Sequence, residues 1–170
     1  RRVRMNDQPG APATIHVVDD DASFRTALAR LLRLHGHAVA LHASAAEFLA
    51  AAPYGPGAVL LDVDLPGCSG PELQARLATR ADVPPIVFLT GKGDIAGSVK
   101  AIKAGAEDYL TKPVEPAELL DALSRALERD ALREAAYFVE RLRTDQMPLA
   151  GLVLNRVQDV IDPQFTSEQA

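Results

Sequence analysis

The feature that most constrains this chain is an alternation. Five short apolar runs, "TIHVV" (14–18), "HAVALH" (37–42), "GAVLLDV" (57–63), "PIVFLT" (85–90) and "EDYLT" (107–111), are separated by segments of helical period. In "SFRTALARLLRLH" (23–35), Phe24, Leu28, Leu31 and Leu32 share one helical face, and Gly36 closes the segment. Ser44 with Glu47 forms a capping-box pattern ahead of "AAEFLAAA". "PELQARLATR" (71–80) and "DIAGSVKAIKAG" (94–105) are helical, and "PAELLDALSRALERDALREAAYFVERL" (116–142) is a long helical pattern expected to break near Asp130. Strand–helix alternation of this kind predicts an α/β fold, a doubly wound five-stranded parallel sheet with helices on both faces. Nearly continuous apolar runs suit strands covered on both sides.

Open parallel sheets place their sites beyond the carboxyl ends of the strands. The polar residues of this chain gather there. The first run ends in Asp19 and Asp20, with Asp21 following; the third ends in Asp62; the fourth ends in Thr90; the fifth is followed by Lys112 and Pro113. Three carboxylates, a hydroxyl and an ammonium are therefore expected at one edge. Carboxylates about 5 Å apart repel by roughly 3 kcal/mol per pair at an effective dielectric near 20. A proton or a cation must relieve that, and all-oxygen ligation suits a hard ion such as Mg²⁺ completed by water and substrate phosphate. A carboxylate beside such an ion stays ionised and can attack phosphorus, while Thr90 and Lys112 can hold phosphoryl oxygens. Asp21 or Ser23 is expected to cap the helix that follows.

"VVDD", "LLDVDLPG", "FLTG" and "DYLTKP" resemble the receiver domain of two-component response regulators over residues 14–128. The wording "TGKGDIAGSVKAIKAGAEDYLTKP" is most similar to the FixJ/LuxR-type branch, nitrogen-fixation regulators with a LuxR-type output. The resemblance implies the flavodoxin-like receiver fold with strand order 2-1-3-4-5. It also implies Asp62 as phosphoacceptor from a sensor histidine kinase. Asp20 becomes the direct acidic ligand of Mg²⁺, Asp19 acts through water, and the backbone carbonyl of Asp64 adds a further ligand. Thr90 and Lys112 bind the phosphoryl group, Thr90 and Tyr109 switch, and the Lys112–Pro113 bond is cis. The implied role is a phosphorelay switch in transcriptional regulation. It is not an enzyme beyond self-phosphorylation and autodephosphorylation, and it relays its state through the fourth helix, fifth strand and fifth helix, where a homodimer would also form.

"LLDVDLP" also resembles the opening motif of haloacid-dehalogenase-type phosphatases, which would make Asp62 the nucleophile and Asp64 the general acid. The acidic pair stands first in this chain and last in that family, so the order of motifs argues against it. His16, His35, His37 and His42 have no metal-binding spacing, and His16 and His42 are read as packing or edge residues. "TGKGD" is not a nucleotide loop.

Formal charge of −5 over 170 residues gives no global case for a polyanion partner. The single Cys68 cannot form an internal disulfide, and no apolar run reaches the roughly 18 residues of a membrane span. A cytoplasmic protein is expected. Residues 1–13 read as a disordered leader, with Met5 as a candidate start. Residues 129–170 read as a helical extension, with Ala135, Phe138, Val139 and Leu142 on one face, and a strand-like piece at 147–157. No DNA-binding module is recognised in them. They have a short resemblance to a segment of arsenite-pump-type anion-transporting ATPases, and the amphipathic helix is expected to be covered by self-association or by the receiver.

Overall fold

The computed structural model describes residues 13–52, 54–80, 82–91 and 95–144. The leader and the strand-like piece at 147–157 lie outside these residues. Five strands, β1 (Thr14–Val18), β2 (Ala38–His42), β3 (Gly57–Asp62), β4 (Ile86–Thr90) and β5 (Asp108–Thr111), alternate with α1 (Ala22–Leu34), α2 (Ala45–Ala50), α3 (Gly70–Leu77), α4 (Ile95–Lys103) and α5 (Pro116–Thr144). The strands are all parallel and ordered β2-β1-β3-β4-β5, the predicted order.

Strand alternation divides the core into two layers. Ile15, Val17, Leu60, Val87 and Leu89 face α1 and α5, meeting Leu28, Leu32, Leu119 and Leu123. Val18, Val59, Leu61 and Phe88 face the other way, onto Phe48 of α2, Leu73 of α3 and Ala101 of α4. Every residue of β3 is buried. Burying each of Val59, Leu60 and Leu61 contributes about 1.5–3 kcal/mol, which is what allows this strand to hold a carboxylate at its last position.

The caps follow the local chemistry. Asp21, rather than Ser23, starts α1 by accepting from the N–H groups of Ser23 (2.8 Å) and Phe24 (3.2 Å). Ser44 accepts from the Glu47 N–H, while the Glu47 carboxylate reaches one residue further, to the Ala43 N–H. A complete capping box stands instead at Ser69 and Glu72, ahead of α3.

The expected break at Asp130 does not occur, and α5 runs without interruption to Thr144. Asp130 is 2 % exposed; its carboxylate accepts from the Gly57 N–H at the start of β3 (2.7 Å) and from Arg133 (2.6 Å). Its hydrogen-bonding demand is met by the Gly57 N–H and the Arg133 side chain and not by its own backbone, so the helix is not ended. Arg133 also donates to the Val83 carbonyl. Gly57 is required here for steric reasons: at φ +153°, a Cβ would lie 1.9 Å from the Thr14 carbonyl oxygen.

The chain separates into a unit ending at Ala135 and a second beginning at Ala136. In the second unit the described residues 136–144 complete α5, with Tyr137 and Phe138 exposed. No helix among the described residues is long and apolar enough to cross a membrane.

Candidate functional site

β1 delivers Asp19 and Asp20 to the carboxyl edge of the sheet, and its neighbour β3 delivers Asp62. The register sets Val18 opposite Leu61, so the two acidic ends lie side by side. Asp19 is fully buried and Asp62 is 5 % exposed, whereas Asp20 faces solvent. One oxygen from each of the three carboxylates lies within 4.8 Å of the others. This is a hard, all-oxygen donor set with one open side, which fits a divalent cation that retains water.

Lys112, the residue after β5, closes the group. Its Nζ donates to Asp19 Oδ2 at 2.6 Å and to Asp62 Oδ1 at 3.0 Å. Its backbone N–H donates to the Thr90 carbonyl at 2.6 Å, which ties the ammonium-bearing residue to the end of β4. The Lys112–Pro113 bond is cis, as expected. Asp19 Oδ1 accepts from the Asp21 N–H at 2.9 Å, and Arg25 donates to the Asp19 carbonyl. The Asp19 carboxylate therefore has a partner on each oxygen.

The electrostatics follow this arrangement. Burial pushes the Asp62 carboxyl above its ordinary value; the hydrogen bond and charge of Lys112 pull it down, and the charges of Asp19 and Asp64 push it up further. Lys112 is pulled down by burial, but its hydrogen bonds to Asp19 and Asp62 and their charges outweigh this and hold it above the ordinary lysine value. The pocket thus carries an internal cation that remains protonated and an acid that gains from further positive charge.

Thr90 ends β4, is 2 % exposed and pairs in register with Thr111, immediately before Lys112. Tyr109 lies further back on β5. Half-buried, it packs on Phe88 with ring centroids 6.0 Å apart and does not join the carboxylates. Asp64 is exposed two residues beyond β3; it acts on Asp62 through charge, and among the described residues the three-carboxylate group is Asp19, Asp20 and Asp62. The loop after Asp62 returns as the Gly70 N–H donates to the Val63 carbonyl at 2.9 Å. Gly70 is pressed against the acceptor strand: a Cβ there would lie 2.6 Å from the Asp62 carbonyl oxygen and 2.8 Å from the Phe88 ring.

The receiver-domain pattern of response regulators matches residues 15–124. The chain belongs to the response regulator receiver family. Nodulation protein W of Bradyrhizobium diazoefficiens is 45% identical over 125 residues, covering 73% of this chain and 55% of that protein. Transcriptional regulatory protein FixJ of Azorhizobium caulinodans is 42% identical over 118 residues, 69% of this chain and 56% of that one. The response regulator StyR has a similar solved structure, with a TM-score of 0.75 and 41% identity over 87% of this chain and 74% of that chain. The N-terminal part of FixJ gives 0.65 and 39% over 70% and 96%. The chain spans 55–56% of these two curated relatives. It is a receiver of the two-component type, a family of signalling switches whose acidic pocket normally takes Mg²⁺, and the match favours this over the phosphatase reading of Asp62 and Asp64.

Two neighbours of the site escaped the sequence reading. Phe24 stands with its ring centroid 4.4 Å from Lys112 Nζ, and Arg25 grips the Asp19 backbone. The available signal was position: both fall in the first turn of the helix that follows the aspartate triplet.

Proposed function

We propose that this receiver accepts a phosphoryl group on Asp62 from the phosphohistidine of a sensor histidine kinase. Asp19, Asp20, Asp62 and the Asp64 backbone carbonyl would hold Mg²⁺, with Asp20 in direct contact and Asp19 largely through water. When bound, the ion supplies positive charge against the phosphoryl oxygens. A lone pair of the Asp62 carboxylate forms the new O–P bond while the P–N bond of the donor breaks and its pair leaves on imidazole. Asp62 is held for this on a fully buried strand, and Lys112 faces its oxygen. Thr90 and Lys112 then take phosphoryl oxygens, and the added charge, nearly two negative units, draws on both.

The observation that carries the reading is the Lys112 ammonium shared between Asp19 and Asp62, 93 and 50 residues away in sequence. A surface lysine has no need of two buried acids. Tyr109 responds as a switch together with Thr90, and the state passes to the face of α4, β5 and α5. There Val99 and Ile102 are exposed on α4, which supports a homodimer through that face; the helix after residue 129 is the other candidate surface. The output we assign is transcriptional regulation from the cytoplasm, since the FixJ relatives are named transcriptional regulatory proteins. The receiver itself occupies residues 14–128, followed by the extension, and its only chemistry is gain and loss of its own phosphoryl group.

The test is incubation with acetyl phosphate and Mg²⁺, followed by intact mass and size exclusion. The expected result is one added phosphoryl group, absent in Asp62→Asn. A normally phosphorylated Asp62→Asn protein would overturn the assignment.

A further inference from the structure

An ammonium presents three N–H groups. Asp19 and Asp62 take two of those on Lys112. The aromatic face of Phe24 is a third neighbour, 4.4 Å from Nζ to the ring centroid, inside the roughly 6 Å reach of a cation–π contact. The Lys112 side chain is only 20% exposed. The ring is set by local structure: Phe24 is the third residue of α1, its own N–H donates to Asp21 Oδ1 at 3.2 Å, and its side chain packs on the core layer of Leu28 and Leu32. One helix start therefore places the ring and, through the Asp21 N–H, holds Asp19.

We propose that Phe24 is a positioning residue for phosphoryl transfer, its ring face holding the Lys112 ammonium within reach of Asp62. The proposal rests on the reading of Asp62 as phosphoacceptor. Lys112 is closer to Asp19 (2.6 Å) than to Asp62 (3.0 Å), so an ammonium held by carboxylates alone would be drawn toward Asp19. When the O–P bond to Asp62 forms and the leaving group departs with its electron pair, the anion facing Lys112 becomes larger, and the ammonium must shift to follow its oxygens. A ring face attracts a cation over a broad area and has no directional hydrogen bond to break. It also keeps water from a position where water would compete for the same N–H. Phe24 thus guides the ammonium between its two partners.

The test uses the full chain with Phe24→Leu, Phe24→Tyr, and phenylalanines carrying one, two or three ring fluorines at position 24. Fluorination weakens the ring face at nearly constant size, so a packing role would not respond to it. Two quantities are read: the rate of phosphorylation by acetyl phosphate in Mg²⁺, and the ¹⁵N–¹H signal of the Lys112 ammonium in the unphosphorylated protein. The expected result is a loss of rate of about 3- to 10-fold in Phe24→Leu, restoration in Phe24→Tyr, and a stepwise decline with each fluorine that tracks the change in the Lys112 signal. A flat fluorine series, or Phe24→Leu at the wild-type rate, would overturn the proposal. Because Asp62→Asn is measured alongside, a flat series with an inert Asp62→Asn protein refutes the ring's role alone, whereas a phosphorylated Asp62→Asn protein refutes the underlying reading.

Discussion

Lowering the pH from 7 to 5 should weaken this fold through a pair of histidines beneath the acidic site. His16 on β1 and His42 on β2 are each 7 % exposed, and His16 Nδ1 lies 3.1 Å from His42 Nε2. That contact needs one N–H and one bare nitrogen, so the two facing nitrogens cannot both be protonated, and a charge on either ring is buried. Phe48 stands edge-on to both rings and Tyr54 edge-on to His16. Burial, together with the charge of His42, lowers His16 from 6.5 to about 4. His42 is also lowered by burial, against the pull of Glu47. A histidine whose folded-state pKa lies below its unfolded value binds fewer protons when folded. Its contribution is whole above 6.5 and is lost as pH falls toward about 4. Linkage then puts the His16 share of the loss between pH 7 and pH 5 at about 2 kcal/mol, an upper figure because water at the rim of the pair screens part of it. For a chain of this size that is about 4–8 °C in Tm. The assay is urea unfolding of the wild type and His16→Asn at both pH values, with an NMR titration of the His16 ring. The wild type should lose more than the variant by that amount. Equal losses, or a His16 midpoint near 6.5, would refute the reasoning.

The aspartate triplet should divide by role. Asp20→Ala should abolish the rise in Tm on adding Mg²⁺, while Asp21→Ala should cost about 1 kcal/mol as a lost cap and keep that rise; thermal melts with and without Mg²⁺ separate them, and a lost Mg²⁺ response in Asp21→Ala would contradict the division. Gly70→Ala should cost about 1–3 kcal/mol by overpacking and slow phosphorylation, since the added methyl meets the Asp62 backbone and the Phe88 ring; urea unfolding and acetyl phosphate kinetics read both.

Much of the site was legible because a parallel sheet turns chain order into spatial order. Once 14–18, 57–63, 85–90 and 107–111 read as parallel strands, the convergence of Asp19, Asp62, Thr90 and Lys112 followed from their places at strand ends. What stayed hidden depended on side-chain direction and register. His16 and His42 look like isolated strand histidines until β2 pairs with β1 and sets Val18 opposite His42. Phe24 reads as one more apolar position on α1, and only its rotamer turns it toward Lys112. Asp130 resembles a helix breaker because its acceptor role is invisible locally: the N–H it serves is 73 residues earlier in the chain.

That last contact bears on how the sheet is held at the end remote from the phosphoacceptor. The Gly57 N–H begins the same strand that ends in Asp62, and it is held by a carboxylate from the last helix, which also anchors Arg133 to the Val83 carbonyl ahead of β4. The acceptor strand is thus pinned at its base by residues lying beyond position 128. A receiver shortened to that point would keep every phosphoryl-handling side chain and still lose the carboxylate that answers the first donor of its central strand.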